Sequence, residues 1–191
     1  MTADDAAQAR RESRRETRRE SRRGFRRGSR REWTVEERVV VNAPAARVYA
    51  TVARIRDMRR WSPECWAVVS RRAMPRTGDR FVGFNRRGPW VWFTSCRVVR
   101  AEPGREFAFK VASFGLPIAL WGYRVEPRNE GVELVEYWED LRRGRGAKAA
   151  EFLGRAFTGT PPQERAGVNR AGMRTTLHRI RHAAEQQGGP R

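Results

Sequence analysis

The stretch Trp61-Ser62-Pro63-Glu64 decides the fold, because an ordered succession of segments surrounds it. Before it lies an extended apolar run, Val39-Val40-Val41-Asn42-Ala43-Pro44, and then a short amphipathic helix predicted over 45–55. Pro44 suits the first turn of that helix, since its missing N–H group would be unpaired there anyway. Pro63 disfavours a helical conformation in the residue before it. The stretch therefore predicts a corner at which a helix ends and a strand begins.

Beyond this corner the chain predicts a series of antiparallel strands separated by turn sequences rich in Gly, Pro and Asn. Together with a first strand at 34–42, the predicted strands are 65–72, 79–86, 90–99, 105–111, 116–126 and 132–141. Short turns rather than helices join these strands, which disfavours an alternating βαβ architecture. The chain also carries no Gly-rich phosphate-binding motif, so a nucleotide-binding fold is not expected.

The chain closes on a long helix, predicted over 161–187, that starts near two prolines and ends before Gly188-Gly189. Its apolar residues recur at spacings of three, four and their sums, and they are Ala166, Met173, Leu177, Ile180 and Ala184. Residues at these spacings share one face of a helix. The helix is therefore amphipathic and is expected to bury this stripe against the sheet.

Strand, proline-started helix, Trp-Ser-Pro-Glu corner, antiparallel meander and final helix together resemble the SRPBCC superfamily, and its bacterial branch most closely. This superfamily is also called START-like or polyketide cyclase/dehydrase-like, and the resemblance covers roughly residues 35–186. It implies an α+β helix-grip fold over 33–191, in which a curved antiparallel sheet of about seven strands wraps around the long C-terminal helix. A ligand cavity is expected between sheet and helix. The superfamily spans binding proteins, lipid carriers, cyclases and hydrolases, so the fold alone does not select an activity.

Alternation along the later strands predicts which side chains face this cavity. Phe107 and Phe109 share one face of their strand, and Trp121 and Tyr123 share one face of the next, with charged residues on the opposite faces. If the face of Leu134, Glu136 and Trp138 is also internal, Glu136 is a carboxyl group in an apolar cavity. Desolvation would then raise its pKa unless an arginine pairs with it. The segment around Trp92 is apolar on both faces, which leaves its orientation open.

The predicted ligand-binding residues are aromatic or apolar with a few polar members, as is typical of small-molecule pockets. They are Trp61, Phe81, Asn85, Trp92, Phe107, Phe109, Trp121, Tyr123, Glu136, Trp138, Met173 and Leu177. For any single aromatic residue of this set, a place in the hydrophobic core is the alternative interpretation.

The sequence thus predicts a protein that binds a hydrophobic small molecule (a polyketide, lipid or aromatic compound) as a carrier or sensor. A polyketide cyclase or aromatase is the alternative, with Glu136 as the candidate catalytic residue and Tyr123, Asn85 or Arg124 as further hydrogen-bonding groups. Whether the chain is an enzyme therefore stays open.

No cofactor or metal is predicted. His178 and His182 lie one helical turn apart, but no third ligand is near them in the sequence. Cys65 and Cys96 are too far apart for a metal or redox motif and are expected as free thiols.

Two segments outside the predicted sheet and helix leave alternatives open. Residues 1–32 repeat Arg-Arg tetrads and predict a disordered extension, which either stays solvated or binds nucleic acid or an anionic membrane through residues 10–31. Residues 142–160 form either a connector or a lid over the cavity. The chain has no apolar run of membrane-spanning length and no signal-peptide pattern, so a cytoplasmic location is expected. The sequence does not predict the oligomeric state.

Overall fold

The computed structural model describes residues 31–143, 151–152 and 159–186. Most of the predicted N-terminal extension, and most of the segment 142–160 predicted as a connector or a lid, lie outside these residues. The described elements, in chain order, are β1 (Thr34–Val41), α1 (Ala45–Ala53), a 3-10 turn (Ile55–Asp57), α2 (Met58–Trp61), β2 (Cys65–Ser70), β3 (Arg80–Arg87), β4 (Trp90–Glu102), β5 (Glu106–Ser113), β6 (Leu116–Pro127), β7 (Val132–Asp140) and α3 (Pro162–Gln186).

Within this described part, the seven strands form one antiparallel sheet in the order β1-β7-β6-β5-β4-β3-β2. Strands β2 to β7 are neighbours in the order in which they occur in the sequence, as expected of hairpins joined by short turns, and β1 closes the sheet beside β7. The long helix α3 packs against this sheet. The predicted α+β helix-grip fold is therefore confirmed.

The predicted element boundaries differ from the structure in two instructive places. Strand β4 was expected to end at residue 99 but continues to Glu102. A β-bulge between Val98 and Arg100 accommodates one extra residue, so that pairing with β5 resumes at Arg100 and Ala108. The first helix was expected to reach Ile55 but ends at Ala53, and a 3-10 turn follows it.

The Trp-Ser-Pro-Glu corner fixes the position of α3 relative to the sheet edge. Arg179 on α3 donates a hydrogen bond of 3.1 Å to the carbonyl oxygen of Trp61. Near the start of α3, Arg165 donates two hydrogen bonds of 3.3 and 2.6 Å to the carboxylate of Glu64. Within the corner, Ser62 Oγ accepts hydrogen bonds from the backbone N–H groups of Glu64 and Cys65, at 3.3 and 3.2 Å. The helix is therefore attached to both ends of the corner.

The core lies on the face of the sheet that α1 and α3 cover. All five residues of the predicted apolar stripe on α3 are buried, and Val48 and Val52 on α1 are buried beside them. A main apolar cluster contains Leu177, Ile180 and Ala184, and a smaller cluster contains Ala166 and Met173. Ile118 and Trp121 on β6 pack against both clusters.

Among the described helices, none is both long and apolar enough to cross a membrane.

Candidate functional site

A cavity of about 570 Å³ lies between α3 and the inner face of the sheet. Its volume falls in the range of roughly 300–1,000 Å³ that small-molecule pockets usually have. Its walls are mainly apolar, and the large apolar side chains on them include Phe81, Trp92, Phe109, Trp121, Trp138 and Met173. Ile118 and Trp121, which contact both apolar clusters, also line it. The cavity therefore occupies the place where the two clusters meet.

Nine of the twelve predicted ligand-binding residues line this cavity, and they are Phe81, Asn85, Trp92, Phe109, Trp121, Tyr123, Glu136, Trp138 and Met173. The other three, Trp61, Phe107 and Leu177, do not line it and belong to the main hydrophobic cluster. Phe107 has the same strand alternation as Phe109, but it lies nearer the end of β5 where helices cover the sheet. A ligand-binding role for the nine lining residues stays a prediction.

The register between β3 and β4 settles the orientation that the sequence left open. Trp92 pairs with Asn85, and both line the cavity, whereas Phe93 pairs with Phe84 on the opposite face of the sheet. Since side chains alternate along a strand, the apolar residues of β4 serve two different surfaces. One set lines the cavity and the other lies on the outside.

Glu136 lies in the cavity wall, and no arginine of the described part of the chain pairs with it. It is 2 % exposed, and its Oε1 accepts a hydrogen bond of 3.0 Å from the Tyr123 hydroxyl. Within the described part of the chain, its Oε2 has no hydrogen-bond partner. Burial raises the pKa of Glu136 from 4.5 to about 8, and the hydrogen bond from Tyr123 offsets only part of that rise. The carboxyl group is therefore protonated at neutral pH and can donate a hydrogen bond into the cavity.

Other titratable groups of the cavity wall are also held neutral. The pKa of Tyr123 is raised well above its usual value of 10, first by burial and then by the neighbouring Glu136. Burial raises the pKa of Cys65 to about 11 and that of Cys96 to about 12. Both cysteines are free and buried, so at neutral pH they are thiols rather than nucleophilic thiolates.

Asn169 is a cavity residue that the sequence analysis missed. It lies on α3, it is buried, and its Nδ2 has no hydrogen-bond partner among the described residues. It is three residues after Ala166 and four before Met173, so it falls within the apolar stripe of the helix. A polar side chain at a position of an otherwise apolar stripe is the sequence signal that could have identified Asn169 as a cavity residue. Other lining residues that were not predicted include Thr94, Arg142, Thr160 and Thr176.

The cavity opens towards solvent at the turn between β3 and β4. Arg86, Arg87 and Gly88 line it there and are exposed. Arg87 donates a hydrogen bond to Thr160, which is buried and lies just before α3. Glu64 and Arg165 line the cavity as an ion pair. The opening therefore carries an excess of positive charge, whereas Glu136, Tyr123, Cys65 and Cys96 in the cavity wall are neutral.

The two histidines take no part in this cavity. His178 and His182 are exposed on α3, and His178 Nε2 lies 3.4 Å from a guanidinium nitrogen of Arg181. Across the described residues, no group of three His, Cys, Asp or Glu side chains is arranged to hold a metal ion.

A curved antiparallel sheet closed by a long helix over a mainly apolar cavity defines a ligand-cavity protein of the helix-grip class. The family model described as polyketide cyclase / dehydrase and lipid transport matches residues 32–185. This chain belongs to that family, and the resemblance to the SRPBCC superfamily is confirmed.

Solved structures agree with this assignment. The chain is 30% identical to the Polyketide_cyc-like protein Cgl2372 from Corynebacterium glutamicum, with a TM-score of 0.54 over 81% of this chain and 92% of that one. It is 18% identical to the Zhui aromatase/cyclase from Streptomyces sp. R1128, with a TM-score of 0.59 over 82% of this chain and 98% of that one.

The di-domain aromatase/cyclase StfQ from the steffimycin biosynthetic pathway is 16% identical, with a TM-score of 0.62 over 82% of this chain. The chain spans only 52% of StfQ. At such low identity, the likeness to Zhui and StfQ shows a shared fold alone. No curated protein is similar enough to this chain to count as a match.

Proposed function

We propose that this chain binds a hydrophobic small molecule, of polyketide, lipid or aromatic character, in the cavity and serves as its carrier or sensor. The observation that carries the proposal is a cavity of about 570 Å³ with an aromatic wall and two unpaired polar atoms, Glu136 Oε2 and Asn169 Nδ2. A buried polar atom without a partner costs about 1–3 kcal/mol. A ligand with one or two polar groups would remove that cost while it buries its apolar surface.

The protonation of Glu136 restricts the ligand's polar group further. Oε1 accepts the Tyr123 hydroxyl, so the carboxyl proton is available on Oε2 as a donor. The amide nitrogen of Asn169 is also a donor. A carbonyl or hydroxyl oxygen is the complementary acceptor for both groups. A ligand whose polar group is an ionised carboxylate would instead have to lose the hydration of that charge inside an apolar cavity.

We expect Trp121→Ala to weaken binding of a hydrophobic probe, such as a long-chain fatty acid or a flat aromatic dye, by about tenfold. The indole lines the cavity and is half-buried, so its removal takes away contact area with the ligand. The measurement combines probe titration with urea unfolding of the full chain. Phe107→Leu is the matched control, because Phe107 is fully buried but does not line the cavity.

Phe107→Leu should lower the free energy of unfolding and leave the dissociation constant of the probe unchanged. Trp121→Ala should raise the dissociation constant about tenfold while the protein is still fully folded. If Trp121→Ala weakens binding only to the extent that it unfolds the protein, Trp121 is a core residue and not a ligand-binding one. Native mass spectrometry of the purified protein, followed by solvent extraction, tests the proposal directly. A protein that carries no apolar molecule and binds neither fatty acids nor flat aromatics would contradict it.

A cyclase or aromatase is the second candidate, and the state of Glu136 favours it. A carboxyl group with a pKa of about 8, next to a tyrosine hydroxyl in an apolar cavity, is suited to general acid–base catalysis near neutral pH. It could donate its proton to a ketone oxygen while an enol carbon of the same substrate adds to that carbonyl carbon. The carboxylate left on Glu136 could then accept the proton that the enol oxygen releases. Two structural neighbours, Zhui and StfQ, are described as aromatase/cyclases.

Under this second candidate we expect Glu136→Gln to abolish turnover of a poly-β-ketone substrate, because Gln can still donate a hydrogen bond but cannot transfer a proton. In a carrier the same substitution would change affinity only modestly. Product analysis by mass spectrometry, with affinity measured in parallel, separates the two. Unchanged turnover in the variant would remove Glu136 from any catalytic role.

Three further interpretations stay predictions. Contact of residues 10–31 with nucleic acid or an anionic membrane lies outside the described residues, as does most of a lid at 142–160. The exposed side chain of Phe152 and the buried one of Thr160 are the described parts of that segment that bear on the lid. The cytoplasmic location is likewise a prediction.

A further inference from the structure

The outer face of the sheet, turned away from α3, has two halves of different chemistry. On β1, β6, β7 and the adjoining ends of β4 and β5, its charged side chains pair with one another. Arg124 donates to Glu36 at 2.9 Å, Arg100 donates to Glu106 at 2.8 Å, and the Tyr137 hydroxyl donates to Glu106 at 2.6 Å. This half is an ordinary solvated surface with balanced charges.

The other half, over β2, β3 and β4, carries a row of aromatic side chains. Phe84 and Phe93 are direct cross-strand partners in the middle of the row. The ring of Trp66 lies 5.7 Å from that of Phe84, and the ring of Phe114 lies 5.8 Å from that of Phe93. Trp66, Phe93 and Phe114 are 55%, 47% and 61% exposed. A contiguous exposed apolar patch of this kind is unusual on a soluble protein and marks an interaction surface.

Two exposed valines extend this patch on the same face. Val69 on β2 is 63% exposed and Val91 on β4 is 56% exposed. The residues next to them in the sequence, Val68 and Trp92, line the cavity. Since successive side chains of a strand point to opposite faces, Val69 and Val91 lie on the outer face. We call the patch formed by Trp66, Val69, Phe84, Val91, Phe93 and Phe114 the aromatic face.

A row of cations crosses the sheet beside the aromatic face. Arg80 pairs with Arg97 across β3 and β4, and Arg97 pairs with Lys110 across β4 and β5. All three are exposed, and among the described residues no carboxylate pairs with any of them. Like charges directly opposite each other in a sheet are destabilising. The cost of this arrangement would be offset by an anionic surface that contacts all three together.

We propose that the aromatic face and this cation row dock onto an anionic lipid surface. Tryptophan and phenylalanine rings favour the boundary between headgroups and acyl chains, and exposed valines add apolar area there. Arginine and lysine beside them attract anionic headgroups. The apolar patch and the unpaired cations lie on one face, so a single flat surface can contact both.

Two other occupants fit this face less well. A second copy of the chain carries the same net charge of +19, which opposes self-association through this patch. Single-stranded nucleic acid binds by stacking bases on free aromatic faces. Here the rings contact one another at interplanar angles of 51° and 60°, and the valines offer no surface for stacking.

The test is co-sedimentation of the full chain with vesicles of phosphatidylcholine alone or mixed with phosphatidylglycerol. We expect W66S/F93S to bind the mixed vesicles about tenfold more weakly than wild type, because two exposed rings leave the apolar contact. We expect R97Q/K110Q to lose about tenfold on the mixed vesicles and little on the neutral ones. All four side chains point outwards, so circular dichroism and thermal unfolding should stay close to wild type.

Two controls match these changes elsewhere on the molecule. Val40→Ser removes an exposed apolar side chain from the balanced half of the sheet, and R105Q/R181Q removes two positive charges that are not part of the cation row. Both should bind vesicles like wild type. Because every variant keeps the Arg-rich residues 10–31, any membrane contact made by that segment is constant throughout the series.

Equal vesicle binding by W66S/F93S and wild type would overturn the proposal. It would also be overturned if R97Q/K110Q lost no more affinity than R105Q/R181Q, because the cation row would then act only through net charge. A labelled single-stranded oligonucleotide is the third probe. Loss of oligonucleotide binding in W66S/F93S, with vesicle binding unchanged, would assign the face to nucleic acid instead.

Discussion

Between about pH 4.5 and pH 8, the free energy of unfolding is expected to contain a contribution from Glu136 that falls as the pH rises. In the folded state burial raises the pKa of this carboxyl from 4.5 to about 8, so it keeps its proton across that window. In the unfolded chain it ionises near 4.5, so unfolding releases a proton, and a higher pH favours the unfolded state. The slope is about 1.4 kcal/mol per pH unit. Below this window both states are protonated, and above it both are ionised.

Glu136→Gln should remove this slope, because the amide stays neutral at every pH and its oxygen can still accept the Tyr123 hydroxyl. The measurement is urea unfolding at pH 5, 6, 7 and 8, with the difference between variant and wild type plotted against pH. Other titrating groups cancel in that difference. Exposed Glu130→Gln is the control and should follow wild type. Parallel curves for Glu136→Gln and wild type would mean that Glu136 ionises with the same pKa in both states.

Side chains of a strand alternate between its two faces, so the sequence groups Leu134, Glu136 and Trp138 on one face of β7. The sequence makes Glu136 internal only if that face is the internal one, and Glu136 and Trp138 do line the cavity. On β6 the same alternation places Tyr123 inwards, and register then sets Tyr123 directly opposite Glu136. Alternation is a local property of the chain, so a single sequence contains it. The long apolar stripe of α3 could be predicted for the same reason.

The division between core and cavity could not be predicted in this way. Phe107 and Phe109 have the same alternation, yet only Phe109 reaches the cavity. On α3, Met173 and Leu177 share one stripe, yet only Met173 does. The packing of the whole domain determines where the sheet separates from the helix, and a local sequence pattern does not predict that position. Pairing across strands similarly decided that Trp92 points inwards, after the sequence had left its orientation open.

Asp140→Ala is expected to destabilise the fold by about 3–5 kcal/mol, because it removes one member of a buried ion pair. Asp140 is fully buried, and the Arg142 side chain is 6% exposed. The guanidinium group donates hydrogen bonds of 2.9 and 2.7 Å to the two carboxylate oxygens. The backbone N–H of Arg142 donates a third, of 3.0 Å. Without Asp140, a guanidinium charge in the cavity wall would lose its carboxylate. Urea unfolding at constant pH measures the loss.

The exposed pair of Arg124 and Glu126 supplies the matched control, and Glu126→Ala should cost less than about 1 kcal/mol because solvent screens both charges. The double replacement D140L/R142M separates charge from packing. It leaves no unpaired charge, so it should recover much of the stability that Asp140→Ala loses. If the double variant were as unstable as Asp140→Ala, the loss of stability would come from altered packing at this strand end and not from the unpaired charge of Arg142. Since Arg142 lines the cavity, the double variant also reports whether its charge affects which ligand binds.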